Sequence, residues 1–73
     1  MRILIAEILV DGNLLTGVVV DVYPGGAMSI VGTMDELPYE TANTVYFGGR
    51  VQADGGYLHP DDYALLAAMF PCG

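Results

Sequence analysis

Arg2-Ile3-Leu4-Ile5-Ala6-Glu7-Ile8-Leu9-Val10-Asp11-Gly12-Asn13-Leu14-Leu15-Thr16-Gly17-Val18-Val19-Val20-Asp21-Val22 is two runs of Ile, Leu and Val standing on either side of Asp11-Gly12. β-branched and aliphatic residues favour a pleated strand, and an Asp-Gly pair accepts the positive φ angles of a two-residue hairpin loop. With Asp11-Gly12 as the loop, Val10 lies opposite Asn13, Ile8 opposite Leu15, Glu7 opposite Thr16, Leu4 opposite Val19 and Arg2 opposite Asp21. This register sets a cation across from a carboxylate, whereas a loop at Gly12-Asn13 would set Leu4 against Asp21. Gly17 falls inside the second strand, where a missing side chain marks a bulge or a bend.

Strict alternation from this register puts Ile3, Ile5 and Leu9 with Val18 and Val20 on one face, and Leu4, Ile8 and Val10 with Leu15 and Val19 on the other. A hairpin apolar on both faces must be covered on both. One further element is suited to that work, a helix beginning at Pro60. Proline fits the first helical position, Asp61 and Asp62 lie where the helix dipole favours carboxylates, and Tyr63, Leu66, Met69 and Phe70 recur at helical spacing before Pro71. About ten helical residues span roughly 15 Å, while strands of eight residues span roughly 26 Å. The helix therefore covers part of one face, and the sheet is expected to curl into a partly open barrel that bends at Gly17, with a second copy covering the remainder as a homodimer.

Between hairpin and helix, Pro24-Gly25-Gly26 turns the chain and residues 27–31 form a third short strand. Residues 32–43, with Asp35, Glu36, Pro38 and Glu40, read as an acidic loop with room for one turn of helix. Residues 44–47 and 50–53 are β-prone, and Gly48-Gly49 and Asp54-Gly55-Gly56 punctuate them as a second hairpin or a bulged strand. The expected fold is α+β: a strongly curved antiparallel sheet of four or five strands with one C-terminal helix, in a single domain over residues 1–73.

Nine carboxylates, two arginines and no lysine give the chain a formal charge of −7. Affinity for a phosphate backbone comes from Lys and Arg displacing counterions, so direct nucleic-acid binding is excluded and the expected partner is a basic protein surface. Over half the residues are apolar, which excludes disorder. The start Met1-Arg2-Ile3-Leu4-Ile5-Ala6 is interrupted by Glu7 and followed by no cleavage site, and no run of about 18 to 20 apolar residues exists. A single cysteine forms no internal disulfide. The expected location is the cytoplasm, away from membranes.

No motif for catalysis emerges. His59 with Asp61 and Asp62 has the chemistry of a metal or proton-transfer site, but a metal needs three or four ligands and all three residues have structural uses at a helix start. Cys72 follows a helix C-terminus, where the dipole opposes a thiolate. Ser29 lacks a nucleophile elbow. Gly25-Gly26 and Gly48-Gly49 lack the lysine of a phosphate loop and read as turns. No catalytic residue, metal ligand or cofactor is expected.

What remains is surface. Asp35, Glu36 and Glu40 with Asp54 form the expected acidic contact set, and Tyr39 and Tyr57 are the aromatic contacts, since tyrosine offers buried area with a polar tip. Tyr23, Tyr46 and Tyr63 suit an interface equally, and each tyrosine also has a structural alternative, Tyr46 and Tyr63 as core and the others beside turns. Spread evenly, nine carboxylates on about 4,300 Å² give one per roughly 480 Å², against one per roughly 110 Å² on duplex DNA. Imitation of nucleic acid therefore requires the charges to be gathered on one side. The expected function is a non-enzymatic interaction module, a small inhibitor that blocks a basic surface, a nucleic-acid-binding groove among them, on a larger protein. Phage-encoded anti-defence proteins share this profile of size and charge, an analogy without a motif. The alternative is a structural subunit of a homo-oligomeric assembly.

Overall fold

The hairpin folds in the register that its charges demand. In a computed structural model that describes residues 1–71, β1 (Arg2–Val10) and β2 (Asn13–Val22) pair antiparallel, with Arg2 opposite Asp21 and Val10 opposite Asn13. Asp11 and Gly12 form the loop at φ 49° and 84°. The Arg2 guanidinium grips both oxygens of Asp21, at 2.7 and 2.9 Å.

β3 (Met28–Thr33) pairs antiparallel with β2, and the chain then crosses the sheet through α1 (Pro38–Ala42) to β4 (Val45–Asp54) on the far side of β1. β4 turns at Gly55-Gly56 into β5 (Tyr57–Leu58), giving the order β3-β2-β1-β4-β5. The result is an α+β fold, a curled five-stranded sheet with α2 (Pro60–Met69) at its C-terminal end. One of the four strand pairings departs from the antiparallel expectation: β1 and β4 are parallel. The cause is the crossover, because β3 already runs parallel to β1 and a connection passing over the sheet face delivers the next strand in the same direction.

The curl brings the ends of the sheet together. Ala27 bridges Tyr57, Met28 N–H donates to the Gly56 carbonyl at 2.9 Å, and Leu58 N–H donates to the Gly26 carbonyl at 2.8 Å. Closure of this kind removes part of the exposed edge that an open sheet presents.

The core lies inside the curl. Ile3, Ile5 and Ile8 of β1 join Val18, Val20 and Val22 of β2, Phe47, Val51 and Ala53 of β4, Leu58 of β5 and Leu66 of α2, with Val10 and Leu15 packed against them. Strict alternation would have sent Ile8, Val10 and Leu15 to the opposite face. Ala6 and Gly17 explain the difference: they make no ladder pair, Gly17 stands at φ 58°, and both strands turn over together at this point. The register with β4 also shifts here, between Ile5 and Glu7, opposite Gly48-Gly49. Those glycines are neither a hairpin turn nor an anion cradle. A Cβ on Gly49 would come within 2.9 Å of the Phe47 ring, and one on Gly48 within 3.3 Å of the Tyr46 ring, so the pair seats one aromatic ring each.

α2 begins as its composition implies. His59 is the N-cap, its Nδ1 accepting from the Asp61 N–H at 3.3 Å, and Asp62 accepts the Gln52 N–H of β4 at 2.8 Å. Leu66 is its one fully buried residue. The reading of Cys72 falls outside the described residues.

Candidate interaction surface

The outer face of the sheet carries the candidate site. Leu4 and Val19, toward the Arg2 end of the hairpin, are buried on this side, while Leu14, beside the loop, is 46% exposed. Met34 lies over Gly17 and Leu37 over Gly32, each within about 3 Å of where a Cβ would stand. The crossover is pinned at both ends. At the α1 end, Arg2 reaches past Asp21 to donate to Glu40 at 3.0 Å.

At the β3 end Thr33 and Glu36 bond reciprocally. The Glu36 carboxylate accepts from both the N–H and the hydroxyl of Thr33, at 3.0 Å each, while Glu36 N–H donates to the Thr33 hydroxyl at 3.3 Å. This is the Thr-x-x-Glu capping box, used here to fold a tight turn. These donors hold the Glu36 carboxyl below its usual range, the backbone bond first and the hydroxyl second. Asp21 is likewise held below its usual range, chiefly by the Arg2 hydrogen bonds.

Between the crossover and β4 lies an open basin of about 580 Å³, lined by Leu4, Ala6, Thr16, Gly17, Thr33, Met34, Asp35 and Tyr46. Its floor is aliphatic. Asp35, at the tip of the capping box, and Tyr46, 59% exposed with its ring laid over Gly48, supply its polar and aromatic rim.

The six residues singled out from sequence separate into groups. Asp35, Glu36 and Glu40 lie together on the crossover, but Glu36 is engaged by Thr33 and Glu40 by Arg2. Tyr39 projects from α1 with 88% of its surface exposed. Asp54 is elsewhere, at the far end of β4, past the pairing of Ala53 with Val10, whereas Glu40 meets the first residue of β1. Nine residues of β1 separate them, roughly 26 Å along the strand. Asp54 keeps company with Tyr57, its partner across the β4–β5 turn, and with Asp11, whose carboxylate accepts the Gly55 N–H.

Of the two alternatives open to each tyrosine, interface or core, Tyr46 is exposed and Tyr63 packs against the core. The basin was not visible in the sequence, although the Thr33-x-x-Glu36 spacing that shapes its rim was there to be read. His59 and Asp61 stand 3.8 Å apart at the helix start, and among the described residues no three His, Cys, Asp or Glu side chains converge as a metal site requires. Nor is any described helix long and apolar enough to cross a membrane.

A second concavity, an apolar notch of about 120 Å³, lies where Met1, Val22, Tyr23 and Pro24 meet Tyr63, Ala67 and Phe70 of α2. Comparison with protein-family models, with curated proteins and with solved structures finds no match for this chain.

Proposed function

We propose that this chain is a non-enzymatic acidic interaction module of the cytoplasm, a small inhibitor that occupies a basic surface on a larger protein. The observation that supports the reading is the disposition of its charges. Both arginines are spent internally, Arg2 on Asp21 and Glu40 and Arg50 on Glu7, while Asp35 and Asp54 are exposed and accept no ion pair or hydrogen bond among the described residues. A net charge of −7 with no free arginine raises the local concentration of a cationic partner and repels phosphate. The division of the carboxylates between the crossover and the β4–β5 end favours an acidic protein-binding face over close imitation of duplex DNA.

The test is capture of a basic partner from the source cell, followed by binding of the purified pair at rising salt. Asp35→Asn with Asp54→Asn removes two charges that make no internal bond, so the fold is retained while association slows and becomes less sensitive to salt. A partner held equally well by this double variant and lost by Tyr39→Ala or Tyr57→Ala would place recognition in the aromatic residues.

One observation favours self-association as a second reading. Residues 22–34 and 63–71 carry no charged side chain, and the fold brings these stretches together at the Tyr63 notch. The outer side of α2 presents Ala64, Leu65, Ala68 and Met69 to solvent. A helix apolar all round is ordinarily covered. On a chain of charge −7, a second copy docks with least repulsion on this face, whose stretches carry no charged side chain, and the homodimer is proposed here. Light scattering coupled to gel filtration tests it: a dimer that Met69→Glu converts to monomer supports this face, and a wild-type monomer of 7.7 kDa refutes it.

A further inference from the structure

We propose that the basin between Asp35 and Tyr46 is the seat of one arginine side chain of the basic partner; this deepens the reading above and rests on it. Three features of the basin match the three parts of an arginine. The methylene stem finds an aliphatic floor in Leu4 and Ala6, beside the Met34 side chain. The guanidinium charge finds Asp35, which no described cation approaches within ion-pairing distance. Its flat face finds the Tyr46 ring, one side of which lies on Gly48 while the residue remains 59% exposed.

The rim is organised before the ligand arrives. The Thr33–Glu36 box fixes the turn that carries Asp35, and the Arg2–Glu40 bond holds the other end of the crossover, so little chain entropy is lost on binding. Gly17 lets the Met34 side chain lie close on β2, since a Cβ there would stand 2.9 Å from the Met34 sulfur. The chain's own arginines do not compete, as each is bonded elsewhere. Arginine is favoured over lysine because a planar fork can stack on an aromatic ring and meet a carboxylate in one pose, whereas an ammonium is a more strongly hydrated point charge. An anionic ligand is repelled by Asp35, and one carboxylate is too few to hold a metal.

The experiment is an amide NMR titration of the full chain at low ionic strength with three capped tripeptides, Gly-Arg-Gly, Gly-Lys-Gly and Gly-Gln-Gly. The arginine peptide is expected to shift the amides of Ala6, Gly17, Asp35 and Tyr46, to bind at least threefold more tightly than the lysine peptide, and to leave the glutamine peptide without effect. Asp35→Asn and Tyr46→Leu should each weaken binding at least fivefold, while Tyr46→Phe and Asp54→Asn preserve it. Shifts confined to the Asp54 and Asp61 end, or an Asp35→Asn variant that binds normally, would overturn the basin as the seat and leave the basic-partner reading standing. An equal response to the glutamine peptide would show a site blind to charge and overturn the proposal. No response to any of these peptides or to oligo-arginine would overturn both.

Discussion

Replacing Gly17 by alanine tests the physical reason for the curl. Gly17 stands at φ 58°, between two halves of β2 whose inward residues change parity. An L-residue held in this left-handed region costs about 1–2 kcal/mol, because its Cβ crowds the following carbonyl. The new Cβ would also stand 2.9 Å from the Met34 sulfur. That side chain is half exposed and can swing aside, at a rotamer cost of about 0.5–1 kcal/mol. Together these predict a loss of about 1.5–3 kcal/mol and a fall in melting temperature of roughly 6–24 °C, from about 4–8 °C per kcal/mol in a domain of this size. Urea unfolding followed by circular dichroism measures it. Repeating the substitution in a Met34→Ala background separates the two contributions, since the backbone cost persists there and the collision does not. Gly17→Asn should cost less than Gly17→Ala, because asparagine tolerates the left-handed region. A neutral Gly17→Ala, or a cost that disappears entirely without Met34, would refute the argument that the backbone angle at Gly17 turns the strands over.

Leu66→Ala removes the one fully buried anchor of α2 and is expected to cost about 2–5 kcal/mol in the same unfolding assay. Asp61 and Asp62 look alike in sequence, yet only Asp62 receives a strand N–H, so Asp62→Ala should cost about 1–2 kcal/mol and Asp61→Ala about 0.5 kcal/mol or less. The depressed carboxyls of Asp21 and Glu36 contribute stability that is present above the ordinary carboxylate range and lost as pH falls through their lower folded-state values. Unfolding midpoints measured from about pH 5 to about pH 2 should therefore fall, and Arg2→Gln should flatten the part that belongs to Asp21.

How much of this was legible depends on the range of the interactions involved. Both strands of the first hairpin, its loop and its register follow from neighbours in sequence, and Arg2 meets Asp21 as their spacing requires. The α2 start is local in part: Pro60, Asp61 and the His59 cap lie within three residues, whereas Asp62 also accepts the Gln52 N–H of β4. Glu36 was singled out as a contact residue although Thr33, three positions earlier, engages its carboxylate. That pattern is readable and local, but no continuing helix follows the box to advertise it.

The rest required the folded chain. Glu40 reads as a loop carboxylate until Arg2, thirty-eight residues away, is brought to it. Tyr46 has a structural alternative in the core until β4 pairs in parallel with β1, which sets Tyr46 beside Leu4 on the outer face and Phe47 beside Ile5 in the core. Composition, charge and short-range pattern determined by themselves that this is an acidic α+β domain built on one apolar hairpin. Only the tertiary structure decided that β4 lies parallel to β1, that Ile8 and Val10 face the same core as Ile3 and Ile5, and that Asp35 and Tyr46 share a basin. The physical reason is that strand alternation and capping are set by adjacent residues, whereas a crossover's path and a bulge's effect on facing depend on contacts between segments far apart in the chain.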